Sequence, residues 1–266
     1  MAAMSRQGIP RFGKPFRINW WGRIGWTVAV LYAIYAADYL DVSLERFLNG
    51  IGNGADFLGE MVPVDFSRWR LLVENLFETI EIAIIASAFG VFFSLPIGLL
   101  AARNLMPAWV TWPARTFIAL CRSFHPVIFA ILFVKAVGFG PLAGILTLIF
   151  ASIGFIGKLF AEAIEEISLK PLEALRAAGA PFISIIIYAV LPQVLNRFIG
   201  FSSYQLDANL RNSTMVGIVG AGGIGGTLFA AFQRFDYDFL AAILISIIAL
   251  VMVSEFISMQ IKKVFQ

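Results

Sequence analysis

Apolar runs long enough to cross a bilayer alternate with short polar interruptions along most of the chain, and that pattern predicts an all-α, polytopic membrane protein. The first run, about residues 24–40, follows the interfacial residues Trp20 and Trp21, contains Trp26, and ends at Asp38 and Asp41. Residues 41–75 are polar and broken by Asn49-Gly50 and Gly52-Asn53-Gly54, so they read as an extramembrane loop. A second span covers about Leu76 to Ala102, with Pro96 as a kink that neighbouring helices tolerate in lipid. Arg103, Pro107, Pro113 and Arg115 mark a short connection. A third span, about 116–137, ends at Gly138-Phe139-Gly140-Pro141, and a fourth, about 142–161, follows at once. Residues 162–196 are charged and punctuated by proline, which places them outside the lipid. A fifth span over about 197–219, a glycine-rich turn at 220–226 and a sixth span over about 239–260 complete about six transmembrane helices.

Composition narrows the class. Of 266 residues, 59% are hydrophobic and only 14% charged, against about a quarter charged in soluble domains. That excludes a disordered chain, a nucleic-acid-binding arm and a soluble enzyme. One cysteine, Cys121, leaves no internal disulfide, and one histidine, His125, leaves no two-histidine metal site. The distribution of charge sets direction. Arg6, Arg11, Lys14, Arg17 and Arg23 precede the first span without an acid among them, and no cleavage site follows to make them a signal peptide. Arg103, Arg115, Arg122, Lys158, Lys170, Arg176, Arg197, Lys262 and Lys263 fall on the same side. The opposite side holds Arg46, Arg68, Arg70 and Arg234 among seven acids. By the positive-inside rule both termini are cytoplasmic.

Nucleotide chemistry finds no complete motif. Gly8–Lys14 has the spacing of a phosphate-binding loop, but Pro15 stands where a hydroxyl must reach magnesium. Gly220-Ala221-Gly222-Gly223-Ile224-Gly225 satisfies a dinucleotide pattern after the strand-like run Met215–Val219, without the second strand and acid that a dinucleotide fold needs. A tight turn with close backbone packing accounts for those glycines more simply. Ser123 and His125 suggest a nucleophile and base of an intramembrane enzyme, but no orienting acid shares their segment, and a polar residue at a helix interface reads as well.

The segment 168–192 is more informative. Pro171 sits near the first turn of a short helix, Gly179 near its C-cap, a second helix restarts after Pro181, and Leu191-Pro192 stops it. Leu172, Leu175 and Ala178 fall on one face beside Glu173 and Arg176. Such a helix suits the groove of a partner protein or the lipid surface, and spacing alone leaves both open. Glu173-Ala174, Gly179 and Leu191-Pro192 resemble the E-A-A-x3-G-x9-I-x-L-P signature of ABC-importer permeases, with Leu175 and Ala189 departing from it in type but not in spacing. Val137–Gly144, Gly157–Leu159, Glu162–Glu165, Asn209–Thr214 and Val219–Gly225 resemble the phosphonate, phosphite and hypophosphite branch of those permeases. The resemblance runs from roughly Glu74 to the C-terminus; the first 70 residues carry no matching motif.

That resemblance implies the fold of a type I ABC-importer permease in the bacterial inner membrane. It implies residues 71–266 as the transmembrane domain, with the coupling loop at 162–196, and residues 1–70 as a basic tail, first helix and outer loop. Glu173, Ala174, Arg176, Gly179, Leu191 and Pro192 become the ATPase-coupling residues. The implied partners are a second permease copy, two ATPase subunits that bind ATP and magnesium, and an extracytoplasmic substrate-binding protein. No cofactor in this chain and no nucleic acid are implied. The fifth span is dense in polar residues, which lipid does not tolerate, so it faces a partner helix or a wet cavity. Asn209, Arg211, Ser213, Thr214 and, on the third span, His125 are the expected route for a small anion. The opposing reading pairs Asp207 with Arg211 as glue between helices. A third has Asp207 serve an ion-coupled secondary transporter.

Overall fold

The structure, a computed structural model, describes residues 20–265, with side chains as far as Gln260. The basic residues expected at Arg6 to Arg17, the Gly8–Lys14 run and the side chains of Lys262 and Lys263 lie outside the described residues. The chain divides into two compact units, residues 1–59 and 60–266.

The first unit contains α1 (Trp20–Tyr39) and α2 (Leu44–Glu60), bent by 56° at the short break between them. The loop expected at 41–75 is therefore largely a helix. Its start is capped by Ser43, whose hydroxyl accepts the Arg46 amide at 3.1 Å. Leu44, Phe47, Leu48, Ile51 and Leu58 recur at helical spacing, and the helix forms despite a penalty of about 1 kcal/mol for each of Gly50, Gly52 and Gly54.

The second unit is built around α6 (Pro141–Glu165), which packs against α3 (Trp69–Ala101), α4 (Ala108–Ser123), α5 (Pro126–Val137) and α9 (Leu191–Ile218). Small residues make the α3–α6 contact close. Ala83, Ala86, Ser87, Gly90, Ser94 and Gly98 are buried along one stripe of α3. A Cβ at Gly98 would come within 2.7 Å of the Phe160 ring, so Gly98 sets how near α3 approaches. The other elements are α7 (Lys170–Ala177), α8 (Phe182–Ile185), α10 (Ile224–Gln233) and α11 (Tyr237–Phe265).

Four helical stretches are long and apolar enough to span a membrane, and up to six if each bent pair counts as one. Three expectations are corrected. The third span is broken: α4 and α5 meet at 93°, because Pro126 drives His125 into an extended conformation (ψ 144°), where its ring caps α5. Pro113 and Arg115 lie inside α4 rather than in a connection. Leu191-Pro192 does not stop a helix. Residues 182–218 run on through a π-helical turn, Ile186–Val190, and that wider turn absorbs the backbone N–H that Pro192 lacks. The run Met215–Val219 is the last turn of α9 and its C-cap, and no strand occurs among the described residues.

At the end of the unit away from α7, the segment before α3 is clipped to the start of α11. Arg68 pairs with Asp236 at 2.7 Å and lies 3.6 Å over the Phe239 ring, while the Asp65 amide donates to the Asp238 carbonyl. The Ser67 amide, then the Ser67 hydroxyl and the Arg68 guanidinium, hold the Asp65 carboxyl below the usual carboxylate range.

Candidate functional site

Between α6 and α9 the chain leaves the bundle to form α7 and returns through α8. Gly179, at φ +72°, reverses the chain after α7, and the Ala180 amide reaches back to the Leu175 carbonyl at 3.0 Å. Leu172 is 1% exposed, seated among Ile164, Ile185, Ala189, Val190 and Val194, and Leu175 packs beside the same cluster. Leu172 and Leu175, two of the three residues of the apolar face read as meeting a partner or the lipid surface, thus turn into the protein itself, and Ala178 stays exposed. What α7 presents outward is Glu173, Ala174, Arg176, Ala177 and Ala178, continuing into Gly179. Both departures from the family signature, Leu175 and Ala189, lie on the inward side. Leu191 is half-buried and Pro192 exposed where the π turn passes into α9.

Side chains that sequence reasoning passed over hold this loop. The Gln193 amide nitrogen donates to the Ala189 carbonyl at 2.6 Å, and its oxygen accepts the Ser168 amide at 3.0 Å. Arg197 pairs with Glu166 at 2.5 Å. Glu165 accepts from Arg115 at 2.5 Å and from the Arg103 amide at 2.8 Å. Apart from Gln193 with Ala189, nothing local marks these pairs, because their partners are distant in sequence.

The polar residues of α9 divide by face. Asn209 is fully buried; its amide nitrogen donates to Ser87 at 2.9 Å and Ser152 at 3.0 Å, and its oxygen accepts from Gln205 at 2.9 Å. Gln205 also donates to Ser152 at 3.0 Å, so α3, α6 and α9 share one network. Ser213 is buried and donates to the Leu210 carbonyl; Thr214 is buried with its hydroxyl unpartnered. Arg211 lies on the exposed side, paired with Asp207 at 2.8 Å, and the other Asp207 oxygen accepts from Ser254 of α11 at 2.9 Å.

His125 is exposed, and its Nδ1 accepts the Val127 amide at 3.3 Å. The Ser123 hydroxyl donates to the Leu120 carbonyl at 2.8 Å. Neither bonds to the other, which removes the geometric basis for a nucleophile and base. The glycine turn before α10 is closed by Thr79, whose hydroxyl accepts the Ile224 amide at 2.8 Å.

The second unit is thus a helical bundle that presents a short helix at one end between two long spans. A family model described as binding-protein-dependent transport system inner membrane component matches residues 94–266, and the chain belongs to that family. It is 40% identical over 258 residues to the phosphite transport system permease protein PtxC of Stutzerimonas stutzeri, covering 95% of this chain and 93% of that one. It is 42% identical over 200 residues to the phosphate-import permease protein PhnE of Mycolicibacterium smegmatis, covering 74% of this chain and 38% of that one. The fold matches a solved inward-facing MetNI methionine ABC transporter chain with TM-score 0.67 and 24% identity, over 76% of this chain and all of that one. The protein is a multi-pass inner-membrane permease that works with an ATPase and a substrate-binding protein.

Proposed function

We propose that the protein is the permease of an ATP-driven importer for phosphonate or a related reduced-phosphorus anion such as phosphite or hypophosphite. The observation that carries the cargo is the 40% identity with a phosphite permease over nearly the whole of both chains. The permease itself performs no chemistry. ATP and magnesium belong to two partner ATPase subunits, a second copy of this chain completes the membrane unit, and the binding protein delivers the anion from outside.

Glu173, Ala174, Arg176 and Gly179 form the surface that meets the ATPase, with Leu191 and Pro192 at the joint where the loop re-enters the bundle. The exposed face of α7 supports this reading, as do the bonds that brace the loop. Because Gln193, Glu165 and Glu166 tie the loop to α3, α4 and α9, a push on α7 moves the inner ends of those helices together. The route residues fall into two roles. Arg211 and His125 are exposed and available to the anion, whereas Asn209 ties the helix that presents Arg211 to α3 and α6, and Ser213 and Thr214 are buried along that helix. Asp207 is engaged on both oxygens, which leaves no free carboxylate for an ion-coupled mechanism.

Proteoliposomes containing permease, ATPase and binding protein test the proposal. Uptake of phosphite or methylphosphonate should require internal ATP and persist when the proton gradient is collapsed. Uptake of phosphate alone would replace the cargo, and uptake that ignores ATP would overturn the mechanism.

A further inference from the structure

We propose that the seam between α4 and α6 holds a binding site for a tetrahedral phosphorus oxyanion, with Arg122 and Lys158 as its ligands. The import reading above suggests which anion arrives there, but the site rests on its own geometry. A cavity of about 420 Å³ opens along the seam, lined by Arg115, Arg122, Lys158, Ser123 and Glu162 over an apolar floor. The volume accepts an oxyanion that keeps part of its water.

Depth makes the cations significant. The stem of Arg122 runs beside Gly154: a Cβ there would stand 2.8 Å from the Arg122 Cγ. Gly154 lies near the middle of the 25-residue helix α6. Glu165, which marks the inner end of α6, lies eleven residues further on, about 16 Å along the axis. The Arg122 stem therefore starts near the middle of α6, and its guanidinium lines a cavity that reaches inward past Lys158 and Glu162 rather than lying in a connecting loop, where the loop-charge pattern would put it. A charge between membrane-spanning helices without a counter-charge is costly, and such residues mark ion pathways.

The local charges do not cancel. Arg115 is neutralised by Glu165 at 2.5 Å, and its Nε donates to the Ala101 carbonyl at 2.9 Å. Lys158 stands 3.4 Å from Glu162, a looser pair. Arg122 has no hydrogen bond or ion pair among the described residues. An unpaired guanidinium fork with an ammonium one helical turn from Gly154 matches the oxygens of a P–O anion. Ser123 has already committed its proton to Leu120 and contributes little. Glu162, one turn further inward, keeps the affinity modest, so an anion held here can still leave.

A free oxyanion and the phosphate of an anionic lipid share this chemistry, and the experiment separates them. The permease–ATPase complex is purified without binding protein in phosphate-free maltoside detergent. Binding of radiolabelled inorganic phosphate is then measured by equilibrium dialysis. Saturable binding is expected, weakened at least about tenfold in Arg122→Gln and in Lys158→Gln, with Arg122→Lys retaining part of it. Thermal unfolding checks each variant; if Arg122→Gln does not fold, Lys158→Gln and Arg122→Lys carry the comparison. A second arm uses phosphatidylglycerol nanodiscs. Phosphate binding suppressed there, with phosphatidylglycerol retention lost in the same variants, supports the site and assigns it to a headgroup. Absence of variant-sensitive binding in both arms overturns the proposal. Failure of phosphorus uptake with phosphate binding intact would remove the cargo reading and leave the site standing.

Discussion

Asn209 illustrates how a polar residue in a membrane helix takes its role from what it meets. Its amide satisfies Ser87 and Ser152 and receives Gln205, all buried, so the group is a structural knot between three helices. Asn209→Ala strands those partners, and leaving buried polar groups unpaired costs about 1–3 kcal/mol. The purified variant should therefore melt several degrees below wild type and express poorly. Arg211 is the contrast, because its guanidinium is close to half exposed and pairs only with Asp207. Arg211→Ala should melt near the wild-type temperature, copurify the ATPase normally, and import the anion at a rate reduced several-fold. Unchanged uptake would remove Arg211 from the route. Chain position alone could not separate these two residues, since they lie two positions apart and the sequence does not say which face turns inward.

At the scale of elements, the turn and helix around α7 were the most legible part of the chain and the third span the least. The proline and glycine spacing announced α7 and its C-terminal turn, because those residues act locally on the backbone. The direction of its apolar face was not legible. Leu172 and Leu175 are as suited to a partner as to the protein's own core, and only the cluster around Ile164 and Val190 decides. Likewise Pro126 was visible, but a proline at that place reads equally as a kink within one span, and only the structure shows a 93° break. In α2 the glycines at 50, 52 and 54 concealed a cap and an apolar pattern at helical spacing. Gly179 provides the element-scale test. No neighbouring atom obstructs a side chain there, so any penalty comes from φ +72° alone. Gly179→Ala should cost about 1–2 kcal/mol locally and lower binding-protein-stimulated ATPase activity. Gly179→Asn, which tolerates the left-handed conformation, should recover most of it. Equal defects in both variants would mean that the outer surface of the loop, rather than its backbone, is what the ATPase reads.

Over the whole molecule, the two ends of the bundle respond to different conditions. The clip of Asp65, Arg68 and Asp236 joins α3 to α11 far along the sequence from the docking loop. Asp65 has a lowered folded-state pKa, so its contribution is complete above the ordinary carboxylate value of about 4 and fades as pH falls through the depressed one. Asp65→Asn should melt below wild type at neutral pH, and the difference should shrink as the pH falls below about 4 and through the depressed value. The middle of the bundle raises the remaining question of what covers it. Arg122 and Lys158 are exposed on a single chain beside α4 and α6, and Arg211 is exposed on α9. A second copy related by a two-fold axis would enclose such surfaces in a shared wet pathway, using one interface twice. Native mass spectrometry of the complex in nanodiscs should therefore find two permease chains of 29.3 kDa with two ATPase subunits. A single permease chain, or one paired with a different membrane subunit, would defeat the symmetric arrangement and leave these charges to be enclosed by other means.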